Sequence, residues 1–233
     1  MRLDKYISNA TDLSRNIVKR MIKQGVVTVN GERIKNAAQQ ISDDDEICIE
    51  GSSIAKPKNR YFMMNKPAGV VSATKDRDHE TALQLIYEHR SEELQIAGRL
   101  DIDTTGLLLI TDDGQWNHAI TSPKSSCHKT YLLEVDNALD PSLTEKFSTG
   151  IWLEGEKRRC LPAQLDIVDD FHARLTISEG KYHQVKRMLV ASGNQVIALH
   201  REQIGGIVLD DDLELGEYRA LTDAEIESVR SRG

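Results

Sequence analysis

The stretch Gly98-Arg99-Leu100-Asp101-Ile102-Asp103-Thr104-Thr105-Gly106, running straight into Leu107-Leu108-Leu109-Ile110-Thr111, sets charged residues between two glycines at the mouth of a strongly apolar strand. Glycine permits backbone angles and close approaches that other residues resist. A carboxylate such as Asp101, beside Arg99, therefore sits in a loop that a ligand can approach closely. Outward from this strand, further strand patterns lie at residues 61–64, 131–135, 164–168, 173–177, 196–199 and 207–209. Helical patterns at 83–88, 141–148 and 182–192 are fewer and do not alternate regularly with the strands. This disfavours a doubly wound parallel sheet. It predicts an α+β fold with a mixed, mainly antiparallel sheet and helices packed on it.

Residues 1–55 read as a separate small module. Leu3 and Ile7 share one face of a short helix, and Ser14 can cap a second helix from Arg15 to about Gln24 that Gly25 stops. In that helix Ile17, Met21 and Ile22 are expected to face inward. Arg15, Lys19 and Lys23 recur every four residues as an outer stripe, with Arg20 beside them. The tract Val27-Thr28-Val29-Asn30-Gly31 ends on a strong hairpin-turn signal, and Ile47 and Ile49 alternate with polar residues in a second short strand. The polar, proline-containing tract 51–60 looks like connecting chain. The expected boundaries are a module at 1–55, a linker at 56–60 and a larger domain at 61–233.

The 233 residues are 39% hydrophobic and 29% charged, as in an ordinary folded protein. No apolar run reaches membrane-spanning length and the N-terminus lacks the apolar run of a signal peptide, so a cytoplasmic protein is expected. Cys48, Cys127 and Cys160 show neither a CxxC pair nor zinc-site spacing, and no metal is expected. The formal net charge of -7 argues weakly against nucleic acid, but its distribution does not. Residues 1–40 carry eight basic residues (Arg2, Lys5, Arg15, Lys19, Arg20, Lys23, Arg33, Lys35) against three acidic ones, a local +5. Residues 202–233 carry a local -6. A basic field on one module can attract a phosphate backbone while the whole chain stays acidic.

Four segments of the larger domain carry chemistry: Asn65-Lys66-Pro67-Ala68-Gly69, the Asp101 loop, Lys129-Thr130-Tyr131, and Gly180-Lys181-Tyr182-His183-Gln184-Val185-Lys186-Arg187-Met188. Each has a plain alternative. Asp101 can cap a turn and has Asp103 as its rival; Tyr131 can be a packing residue; Lys186 and Arg187 can be a solvated helix face. The histidines, His183 and His200 included, show no metal-ligand spacing, and a structural role is expected for them. No P-loop, Ser-His-Asp order or nucleotide-cofactor motif is present.

Together these segments resemble the pseudouridine synthases, in the branch that joins an S4 RNA-binding domain to the catalytic domain. Arg2-Leu3-Asp4-Lys5, Ser14-Arg15 and Val27 to Gly31 resemble the S4 domain. Gly98 to Asp101 with Thr105-Gly106, the Lys66-Pro67-Ala68-Gly69 turn, Lys129-Thr130-Tyr131 and His183 to Met188 resemble the motifs of the catalytic domain, and Leu199-His200-Arg201 resembles a packing segment. The resemblance implies isomerisation of an RNA uridine without a cofactor. It implies Asp101 as nucleophile, attacking C1′ or C6 or assisting glycal formation. Tyr131 is the implied stacking residue and Lys186 the basic partner of Asp101, where many relatives carry arginine. Arg2, Lys5, Arg15, Lys19, Arg20, Lys23, Arg99, Lys129 and Arg187 are the expected RNA contacts. The tracts 98–116 and 175–184 are similar to members acting on small-subunit rRNA. They imply action on uridine 516 of 16S rRNA, as free RNA or, by expectation, in a partly assembled small subunit; a monomer is expected because the enzyme must fit around a large RNA. A 23S rRNA or tRNA substrate, or a non-enzymatic assembly factor, is the alternative.

Overall fold

A computed structural model describes residues 1–42, 44–122, 125 and 127–230. The chain divides into two compact units, Met1–Asn59 and Arg60–Gly233.

In the first unit, helices α1 (Leu3–Ala10) and α2 (Arg15–Gln24) pack on a small sheet. Its strands β1 (Val27–Val29), β2 (Glu32–Arg33), β3 (Ile47–Ile49) and β4 (Ser52–Ser53) lie in the order β2-β1-β3-β4. Ser14 Oγ accepts the Ile17 amide and Gly25 closes α2 in the left-handed region, so both helix limits follow the sequence signals. Asn30-Gly31 and Glu50-Gly51 each place two successive residues at positive φ, the geometry of tight hairpin turns. The second turn makes Ser52–Ser53 a strand, so the front of the linker-like tract belongs to the sheet. The inward face of α2 is Val18 and Ile22 with Met21 at its edge, whereas Ile17 is exposed. Of the three residues expected inward, Ile22 and Met21 hold, and Val18 takes the place of Ile17.

The second unit is built on a nine-stranded sheet among the described residues. Its strands are β5 (Tyr61–Lys66), β6 (Gln95–Ala97), β7 (Thr105–Thr111), β8 (Lys129–Val135), β9 (Gln164–Ile167), β10 (His172–Ile177), β11 (Val196–Ile204), β12 (Ile207–Val208) and β13 (Tyr218–Ala220). The path is β13-β5-β7-β11-β8-β10-β9, with β6 beside β7 and β12 beside β11. Only β7 with β11 runs parallel; the other pairings are antiparallel.

Successive side chains of β7 point to opposite faces. Leu108 and Ile110 enter one core, Leu107 and Leu109 the other. Both faces are covered, which is why the tract is uniformly apolar rather than alternating. Helices α3 (Gly114–Thr121) and α6 (Asp223–Arg230) cover the second core through Trp116, Ile120, Ile226 and Val229. Helices α4 (Leu143–Ser148) and α5 (Gln184–Val190) cover the first through Leu143, Phe147, Val185, Met188 and Leu189. Helix α5 starts two residues later than the 182–192 pattern predicts. His183, at φ 47°, leaves Tyr182 and itself on the turn ahead of the helix.

Candidate active site

The loop 98–104 enters β7 and is fastened from several sides. Ser72 Oγ accepts the Leu100 amide at 3.0 Å and the Gly69 amide donates to Ile102 O at 2.8 Å. Arg201, buried on β11, donates through Nη2 to Gly98 O at 2.7 Å, through Nη1 to Arg99 O at 3.4 Å and through Nε to Leu107 O at 2.8 Å. Its backbone explains Gly106. A Cβ built there would stand 2.4 Å from Arg201 O, and the residue sits at φ +101°. The Lys66 ammonium is also buried and donates to Pro67 O at 2.8 Å, Val70 O at 2.7 Å and Ile102 O at 3.5 Å. Burial pushes its pKa down to about 8, against the pull of the Asp103 and Asp101 charges.

This fastening presents Asp101 to an open cleft of 630 Å³ whose lining also includes Arg99, Tyr131, Tyr182, His183 and Lys186. Lys186 Nζ lies 3.3 Å from Asp101 Oδ2, and His183 Nε2 lies 3.5 Å from Asp101 Oδ1. The shortest contact of Lys186, however, is its 2.6 Å hydrogen bond to Asp103 Oδ1. The family resemblance pairs Lys186 with Asp101 alone; the structure makes it a bridge between two carboxylates. An ammonium is a point charge without a fixed fork, so it can serve both. Burial acts to lower the Lys186 pKa, but the hydrogen bond to Asp103 and the two negative charges outweigh it, and Lys186 stays charged above the ordinary lysine range. The same hydrogen bond holds the Asp103 carboxyl below its ordinary value. His183, expected to be merely structural, reaches the carboxylate.

Tyr131, on β8 between Leu175 of β10 and Arg201 of β11, forms the buried floor. Its hydroxyl lies 3.4 Å from Arg201 Nη1, and the guanidinium carbon is 5.8 Å from its ring centroid. Arg99 is exposed at the rim. The other expected RNA contacts divide. Lys5, Lys19, Arg20 and Lys23 are exposed on the first unit. Arg2 and Arg15 both bind the buried Asp4 carboxylate at 2.9 Å, with their side chains still half-exposed. Lys129 Nζ turns inward to Cys127 O at 2.7 Å and Ile120 O at 3.1 Å. Arg187 holds Glu156 Oε1 at 3.0 Å, Tyr182 O at 3.1 Å and Glu154 O at 2.7 Å. These two cations are engaged inside the second unit, an outcome invisible in a basic motif. Sequence reasoning gave Lys66 and Arg201 no task of their own, because nothing in their neighbours signals a buried cation.

A carboxylate fixed in a glycine-bounded loop, a cation at its side and an aromatic floor suit chemistry on a planar base. Residues 60–191 match the RNA pseudouridylate synthase family and residues 1–47 match the S4 domain. The chain belongs to the S4-containing branch of the RNA pseudouridylate synthases. It is 49% identical over 230 residues to the ribosomal small subunit pseudouridine synthase A of Yersinia pestis, covering 98% of each chain. It is 50% identical to the protein of that name from Escherichia coli strain K12, covering 98% of this chain and 100% of the other. A crystal structure of a pseudouridylate synthase matches it at 47% identity with a TM-score of 0.72, over 98% of this chain and 99% of that one.

Proposed function

We propose that this protein isomerises a single uridine of 16S ribosomal RNA, uridine 516, to pseudouridine, with Asp101 as its nucleophile. The observation that carries the reading is the Asp101 carboxylate, held in the wall of a cleft that Tyr131 also lines and 3.3 Å from Lys186. The names of the similar ribosomal small subunit enzymes support the substrate.

The reaction conserves composition. The N1–C1′ bond breaks, the base turns, a C5–C1′ bond forms, C5 loses its proton and N1 gains one. The uridine leaves its stack to reach the cleft, at a cost of a few kcal/mol that is smaller where the RNA is already distorted. Asp101 meets the flipped nucleotide as a carboxylate. Lys186 orients it through a charge-assisted contact. Tyr131 stacks under the base, and its hydroxyl, 3.4 Å from Arg201 Nη1, assists C5 deprotonation. Arg99 takes a phosphate or fills the space the base vacates. On the first unit, Lys5, Lys19, Arg20 and Lys23, with the outer edges of Arg2 and Arg15, follow the phosphates of structured RNA. Tyr6, the module's one aromatic, is buried, so single-strand stacking is not its mode. Lys129 and Arg187 act on RNA through the segments they brace.

No helix among the described residues is long and apolar enough to cross a membrane. A cytoplasmic monomer acting on a partly assembled small subunit completes the reading. Tritium release from 16S RNA labelled at uridine C5 tests it. The wild type is expected to release one equivalent per RNA. Asp101→Ala is expected to release none while binding RNA within about threefold of wild type. Near-normal turnover by Asp101→Ala would remove Asp101 as nucleophile.

A further inference from the structure

The cleft holds two aromatic rings at different depths. Tyr131 is on the floor, 8% exposed and tied to Arg201. Tyr182 stands at the rim, 72% exposed. Its ring is not loose. It stacks on the His183 imidazole with centroids 3.8 Å apart and planes 20° from parallel. His183 in turn faces Asp101 at 3.5 Å. The backbone beneath is fixed: Arg187 Nη1 donates to Tyr182 O at 3.1 Å, the Gln184 amide donates to Lys181 O at 3.2 Å, and Gln184 Oε1 accepts the Lys181 amide at 2.8 Å. The aromatic ring is therefore kept in water on a rigid turn, one face on the imidazole, beside the carboxylate.

We infer that the Tyr182–His183 stack is a binding site for a second nucleobase, the immediate neighbour of the flipped uridine in the substrate RNA. This inference rests on the proposed pseudouridine synthesis. Flipping one nucleotide takes a stacking partner from each neighbour. A preordered aromatic face at the cleft mouth replaces one of them, and it does so for any base because every base has a π-face. Tyr131 cannot serve, since it lies on the floor that the target base occupies. The ring keeps most of its surface exposed, in contrast to Tyr6 and Tyr131, which are buried. Tyr182 is thus a positioning residue that lowers the cost of base flipping, and its ring rather than its hydroxyl does so.

The test places 2-aminopurine at the 5′ or the 3′ neighbour of the target uridine in a 16S rRNA fragment and follows its fluorescence on binding the full-length protein. Asp101→Asn holds the complex before turnover. The expected result is at least a twofold change at one of the two positions, lost in the Asp101→Asn/Tyr182→Ala protein and kept in Asp101→Asn/Tyr182→Phe. In proteins with Asp101 intact, Tyr182→Ala is expected to weaken the RNA interaction about tenfold at equal circular dichroism and melting temperature, with Tyr182→Phe near wild type. Fluorescence indifferent to Tyr182→Ala at both positions, while the wild type still forms pseudouridine, would overturn the inference alone. A wild type that forms no pseudouridine would overturn the functional reading and this inference with it.

Discussion

At the scale of single residues, the site depends on two buried cations, Lys66 and Arg201. Arg201 spends its donors on the carbonyls of Gly98, Arg99 and Leu107 and so fixes the loop that presents Asp101; Lys66 ties the neighbouring 66–70 turn through Pro67 O and Val70 O and reaches the loop at Ile102 O, 3.5 Å away. For Lys66 this has a pH signature. Its folded pKa of about 8 lies below the ordinary 10.5. Between those values the unfolded chain binds a proton that the folded chain does not, so its contribution to stability rises with pH through that window and is flat below it. The shift corresponds to about 3 kcal/mol. In urea unfolding, the stability of wild type relative to Lys66→Met is expected to increase from pH 7.5 to pH 10; a difference independent of pH would contradict the assignment. Asp101, Tyr131 and Lys186 are legible in the sequence because each sits in a contiguous motif. Lys66 and Arg201 also sit in contiguous segments, but their burial is not legible there, because it is decided by strands far apart in the chain. Nor is the 2.6 Å contact of Lys186 to Asp103, which depends on how a loop meets a helix.

At the scale of elements, the parallel pairing of β7 with β11 is a tight constraint. His200 pairs with Thr105 and Arg201 with Gly106, and the absence of a side chain at Gly106 lets the two strands approach. Gly106→Ala meets backbone atoms and a positive φ together, a combination expected to cost more than about 3 kcal/mol. A melting temperature lowered by many degrees, with activity lost, is the expected outcome, and an unperturbed melt would show that the strands can part. The elements that periodicity reveals are long or sharply capped, such as α2 between Ser14 and Gly25. Helix α3 escapes notice because Gly114, Asn117 and Thr121 are poor helix formers, and the burial of Trp116 and Ile120 decides the matter instead. The three-residue β6 and β13 carry too few positions to show a period. Ile17 and Val18 compete for the inward face of α2 by a single step of 100°, which apolarity alone does not resolve.

At the scale of the whole molecule, a net charge of -7 coexists with a +5 stretch in the first 40 residues. Lys19, Arg20 and Lys23 are exposed and carry part of that local positive charge. Each phosphate neutralised releases counterions, so replacing these three by alanine is expected to reduce the slope of log K against log salt by about 2 to 3. Filter binding of a 16S fragment between 50 and 200 mM salt reads this, and an unchanged slope would remove the basic stripe from the RNA interface. The central claim is tested most directly by mapping pseudouridine in 16S and 23S rRNA from cells lacking this gene, through carbodiimide modification and primer extension. Loss of one 16S signal, at uridine 516, restored by the wild-type gene and not by Asp101→Ala, is the expected result. An intact 16S signal, or a signal lost from 23S rRNA instead, would contradict it.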